Sequence, residues 1–199
     1  MNNRNLIIGA AVTIAILLPV GGLASTYNKL VTLDQDVEAQ WAQVENAYQR
    51  RADLIPNLVT TVKAAATHER ETLEAVTAAR ARVGGLDLGD AARDPQALQK
   101  FQAAQDQLSS ALVRLVAVAE AYPQLRANEN FLALQSQLEG TENRITVERQ
   151  RFNDNARAFN TRRDTFPTVV FAGVFGARFA MKPYFTATAG AEHAPAVDL

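Results

Sequence analysis

The sequence predicts an all-α protein: an antiparallel four-helix up-and-down bundle carrying an N-terminal transmembrane helix. Three observations predict it. Apolar residues recur at steps of three and four along most of the chain, the spacing of one helix face. Glycine and proline collect at a few points between those runs, where they punctuate helices. Residues 6–24, LIIGAAVTIAILLPVGGLA, are almost wholly apolar. The alternative arrangement has three long helices, the first kinked at Pro56.

Taken in order, residues 6–24 would span about 28 Å as a helix at ~1.5 Å per residue, close to the ~30 Å hydrocarbon core of a bilayer. Pro19 and Gly21-Gly22 weaken a helix in water but are tolerated in membranes. A cleaved signal peptide is the rival reading, with Arg4 ahead of the apolar run and Gly22-Leu23-Ala24 as the small-residue site. Helical periodicity resumes directly after Ala24, which favours a retained single-pass anchor in the cell membrane. Arg4 and the α-amino group flank one side; Lys29, then Asp34, Asp36 and Glu38, flank the other. The balance leans towards a body on the extracytoplasmic face.

From Tyr27 to Arg50 the stripe is Leu30, Leu33, Val37, Trp41, Val44 and Tyr48, with Asp34, Glu38 and Glu45 expected off it. Pro56 lacks an N–H and disfavours helix at Ile55. Asp53 suits an N-cap. The spacing therefore predicts a tight turn over Arg50–Asp53 and a second helix from Leu54 to about Val83, stopped by Gly84-Gly85. Up-down topology would then put Arg50 or Arg51 close to Glu129 or its neighbours. Asp94-Pro95 reads as cap and first residue of a third helix, with a heptad seam of Leu98, Phe101, Gln105, Leu108, Leu112, Leu115, Ala119 and Tyr122. Pro123 ends it.

A fourth helix starts under an Asn128 cap and runs to Pro167. Its seam is Phe131, Leu134, Leu138, Thr141, Ile145, Glu148, Phe152, Asn155, Phe159, Arg162 and Phe166. From Thr141 on, every second seam position is polar. Gly140 inside a helix costs about 1 kcal/mol, which predicts a close helix approach there. Residues 168–185 are apolar and aromatic with Arg178 and Lys182 among them, too broken to span a bilayer. They fit an interfacial membrane contact or a cap on the bundle core. The chain thus divides into an anchor (1–26), a helical body (27–166), an interfacial or capping segment (167–185) and a disordered tail (186–199).

Residues 49–59 (QRRADLIPNLV), 127–131 (ANENF) and 138–145 (LEGTENRI) carry a family resemblance. With them the chain resembles the LemA family of bacterial membrane-anchored helical proteins, from about Tyr27 to Phe185. The resemblance implies the anchor and the bundle, and it carries no catalytic residue over.

The composition narrows the chemistry. The absence of cysteine excludes disulfides, thiolate metal sites and cysteine nucleophiles. A net charge of −1 sets up no global field for nucleic acid. His68-Glu69 begins like a zinc-binding helix motif, but Thr72 stands where the second histidine belongs. Six arginines between Arg144 and Arg163 alternate with Glu148, Asp154 and Asp164, as on a solvated, salt-bridged helix face. No cofactor, metal, nucleic acid or small-molecule substrate is implied.

One polar constellation remains: Arg50, Arg51, Asp53, Asn57, Asn128, Glu129, Asn130, Glu139, Glu142, Asn143 and Arg144. It reads as a network fixing helix register or as a surface for a protein partner. The predicted function is a membrane-anchored scaffold or protein-interaction module of the bacterial envelope, contacting the membrane through residues 6–24 and 168–185. The alternative is a membrane-bound hydrolase using the Glu/Arg cluster.

Overall fold

The computed structural model describes residues 3–66, 68–87, 89, 91–172 and 176–186; apart from Thr13, the side chains of residues 3–20 and of 171–177 lie outside that description. Every regular element among the described residues is helical. They are α1 (Asn3–Ala65), α2 (Arg70–Gly84), α3 (Pro95–Glu120), α4 (Pro123–Arg126), α5 (Glu129–Asp164), α6 (Thr168–Ala172) and a 3-10 turn (Gly176–Phe179). An extended stretch, residues 180–186, follows.

The predicted turn at Arg50–Asp53 does not form. α1 is one helix of 63 residues, about 95 Å long, and Pro56 sits inside it. The reason is a contact between helices. Proline at position 56 removes the N–H that would bond the carbonyl of Ala52, four residues back. The Arg80 Nε, reaching across from α2, donates to that Ala52 oxygen at 3.1 Å. A side chain from a neighbouring helix supplies the missing donor, and the turn moves to residues 66–69.

No described helix is long and apolar enough to cross a membrane. The segment expected as an anchor falls mostly among the undescribed side chains, and its backbone continues α1 without a break.

α5 lies antiparallel against α1: Gln40 donates to Glu148 at 2.8 Å and Arg51 meets Glu142. α2 returns along the distal part of α1. α3 then runs in the direction of α1, with Phe101 against Trp41 and Tyr48 at its start and Tyr122 donating to Glu69 at its end, 3.0 Å. The expected caps form: Asp94 accepts from Gln96 N–H, and Asn128 accepts from the N–H groups of Asn130 and Phe131.

Two apolar clusters make the core. The distal one is mostly aliphatic, around Ile55, Leu58, Val62, Val76, Leu108, Leu115 and Leu138, with Phe131 among them. The proximal one is aromatic, around Trp41, Tyr48, Phe101, Phe152, Phe159, Phe179 and Phe185. Gly140 makes no close approach; nothing lies within 4 Å of the point a Cβ would occupy there, so the glycine sits on an exposed face.

Candidate functional site

The two clusters meet at a polar layer built on Arg51. The residue is 1% exposed, in the last third of α1 but well before its end, and not at a bundle end beside Glu129. Its guanidinium donates to Ser109 Oγ at 2.9 Å, to Glu142 Oε1 at 2.5 Å and to Gln105 Oε1. The Tyr48 ring lies under it at 5.1 Å. Each partner follows from helix spacing: Gln105 and Ser109 are one turn apart on α3, and Glu142 follows the buried Thr141 on α5. Burial pushes the Tyr48 phenol pKa upward, against the pull of Arg149 and Arg51. A guanidinium out of water needs acceptors around it; here two other helices supply them to its Nη1 and Nη2 groups, while the buried Nε has no hydrogen-bond partner.

The rest of the predicted constellation does not converge on this point. Arg50, Asp53, Asn57, Glu129, Asn130, Glu139, Asn143 and Arg144 are exposed. Asp53 accepts from Gln49 at 2.7 Å, Glu139 from Gln135 at 3.3 Å, and Arg144 stands 3.9 Å from Glu148. Asn128 is spent on the α5 cap. His68 is exposed. Among the described residues no three His, Asp or Glu side chains gather as a metal site.

Glu139 and Glu142 do share a feature. With Ser109, Leu112, Val116 and Leu138 they line an apolar groove of about 420 Å³ between α3 and α5, and Val113 on its wall is 68% exposed.

Two further polar sites escaped the sequence reading. Asp34, expected off the apolar stripe, is buried and pairs with the equally buried Lys182; Arg93 approaches it at 3.7 Å. Residues 179–186 fold back along α5, where Asn153 and Asn160 bond their backbone, joined by Gln102 of α3. The heptad interval from Asn153 to Asn160 was the available signal. Asn155, the position placed in the seam, is partly exposed and donates to the Asp36 carbonyl at 3.2 Å.

A family model, the LemA family, matches residues 40–199. The chain belongs to the LemA family. The curated relatives it matches include the magnetosome protein MamQ of Magnetospirillum gryphiswaldense, 28% identical over 182 residues, covering 82% of this chain and 65% of the relative. Magnetosome protein MamQ 2 of Paramagnetospirillum magneticum is 25% identical over 198 residues, covering 88% of this chain and 71% of its own length. The LemA chain thus spans about two thirds of the length of the first of these relatives. The family match takes in the Arg51 layer, the groove and the folded-back segment together.

Proposed function

We propose that this LemA-family chain is a membrane-anchored scaffold whose four-helix, up-and-down body docks a protein partner in the bacterial envelope. The observation that carries the reading is the continuity of α1. One helix joins the apolar residues 6–24 to the body without a hinge. Such a rod holds the body at a fixed height and orientation above a bilayer, as a scaffold requires. At the same end, Phe166, Val169 and Val170 are exposed, while Arg178 lies over the Tyr27 ring at 5.5 Å. Those apolar side chains supply a second membrane contact beside the anchor. Phe179, Lys182 and Phe185 are buried and serve the core instead. The groove between α3 and α5 is the partner-facing surface.

The hydrolase alternative asks Glu142 to act as acid or base. Its Oε1 is held by Arg51, and the other members of the cluster are dispersed, which favours a structural role for the pair.

Full-length protein in native membranes tests the proposal. It should stay in the membrane pellet through an alkaline carbonate wash and leave with detergent. A photo-crosslinker at Val113 should give one discrete protein adduct, lost in a Leu138→Glu variant that remains folded. A mature N-terminus at Ser25 overturns the anchor; turnover abolished by Glu142→Gln overturns the scaffold.

A further inference from the structure

The cleft between α3 and α5 has two parts with different chemistry. In the proximal part the polar side chains are mostly amides, and they serve the backbone of residues 179–186. Asn160 accepts from the Lys182 N–H at 2.8 Å and donates to the Lys182 carbonyl at 2.9 Å. Asn153 does the same to Phe185, at 2.8 and 3.0 Å. Thr186 is held from both helices, by Gln102 of α3 and Arg149 of α5. Seven residues distal to these on each helix, about 10.5 Å, stand Ser109 and Glu142, where the groove begins.

In the groove the polar groups are already bonded or acidic. Ser109 accepts from Arg51, and Gln135 donates to Glu139 at 3.3 Å. Glu142 gives one oxygen to Arg51, while its side chain is still 42% exposed. Glu120 and Glu139 are exposed. Among the described residues no lysine or arginine lines the groove. Between the carboxylates lie Leu112, Val113, Val116 and Leu138. Carboxylates accept but cannot donate, so an extended chain laid here would leave its carbonyls unpaired. A helix satisfies its own backbone, and basic side chains along its edges would complement the rim.

We propose that the groove takes an amphipathic helix of a partner protein, about three turns long, whose apolar stripe is bordered by lysine or arginine; this identity rests on the groove being a docking surface. Ser109 to Glu120 spans about 16.5 Å of α3, three helical turns. A docked helix of that length fills about 1,300 Å³ at ~10 Å diameter, against about 420 Å³ in the groove. Only its apolar face enters, as in helix-in-groove recognition. Glu139 and Glu142, one turn apart, meet basic side chains at one end of that helix, and Glu120 meets one at the other. Arg51 lies about 40 Å beyond Ala24 along α1, so with the chain anchored at residues 6–24 the groove stands clear of lipid.

The test uses full-length protein in nanodiscs of zwitterionic lipid and two synthetic peptides of about five helical turns. Both carry leucines along one face; one borders that face with lysines, the other with glutamates. The sequence has no cysteine, so Val113→Cys puts a photo-crosslinker in the groove and Leu132→Cys puts one at an exposed position of α5 outside it. The lysine peptide should react at least tenfold more at Val113→Cys than at Leu132→Cys, and bind at least tenfold more tightly than the glutamate peptide. Glu120→Lys with Glu139→Lys should reverse that preference, and Glu120→Gln with Glu139→Gln should remove most of it, each with helix content unchanged by circular dichroism. Equal reaction at the two positions reports adsorption on the disc and overturns the groove as the site. Equal affinity for both peptides, or a preference unchanged in the folded variants, overturns the basic helix. Adducts between two copies without peptide assign the groove to a second copy, and a tenfold gain in peptide binding on removing residues 187–199 assigns it to the chain's own tail; either overturns the proposal. A discrete protein adduct at Val113 in native membranes, with indifference to both peptides, overturns the basic helix and leaves the docking reading standing; absence of both overturns the two together.

Discussion

Distal to Arg51, the core is enclosed by helices on every side; proximal to it, an extended segment takes the place of one of them. The cause is a difference in length. α2 has 15 residues and α5 has 36, about 22 and 54 Å. α2 therefore flanks only the distal stretch of α1 and leaves the proximal one uncovered. There the chain uses Ala91 and Ala92 from the connection between α2 and α3, and residues 179–186 from beyond α5. The side chains differ accordingly. Regular helix faces mesh with aliphatic residues, as among Leu58, Val76, Leu112 and Leu115. Around the extended segment the core is filled by large rings. Phe185 stacks on Trp41 at 6.0 Å and meets Phe152 edge-on at 5.5 Å. A helix also satisfies its own backbone, whereas the segment must borrow donors and acceptors from Asn153, Asn160 and Gln102.

The boundary between the halves should be the most sensitive place. Glu142→Ala leaves the buried Arg51 charge without a counterion and is expected to cost ~3–5 kcal/mol. Arg51→Met should cost less, about 1–3 kcal/mol, because Glu142 turns to water and only Gln105 is left buried and unpaired. Denaturant unfolding of the two variants checks the order, and the reverse order would mean that Arg51 holds the layer through Gln105 and Ser109 without needing Glu142.

The proximal half should loosen alone. Asn160→Ala removes both bonds to Lys182 and one shared with the Tyr184 hydroxyl, worth ~1–3 kcal/mol. Amide exchange should quicken over residues 179–186 while α2 and α3 stay protected. Uniform quickening would show the two halves to be one cooperative unit.

The distal half carries the proline repair. Arg80→Ala should cost about 1 kcal/mol in the native background and close to nothing beside Pro56→Ala, where the helix regains its own N–H. A double-mutant cycle reads this coupling directly.

The smallest effect is expected at Tyr48. Its folded pKa lies above the ordinary value because burial disfavours the phenolate. As pH rises past about 10, the unfolded chain releases the proton first. Stability present below that pH is then lost as pH climbs through the raised value. Tyr48→Phe should leave stability at pH 7 almost unchanged and lessen the alkaline loss.

The sequence by itself determined what local rules govern. Steps of three and four placed Leu30, Val37, Trp41 and Val44 in the core, and the α3 seam from Leu98 to Ala119 is buried as the heptad requires. Asp94 and Asn128 cap where a short polar side chain ahead of a helix must, since the first N–H groups have no other partner. The motifs at residues 49–59, 127–131 and 138–145 identified the family. Tertiary structure alone decided the rest. Pro56 reads as a break until Arg80 arrives from 24 residues further along the chain to satisfy Ala52. Asp34 reads as solvated until Lys182, 148 residues away, is laid against it. In both cases the cost is local and visible in the sequence, whereas the group that offsets it comes from a distant element. No period in the chain records that pairing; only the packing of one helix on another brings the two together.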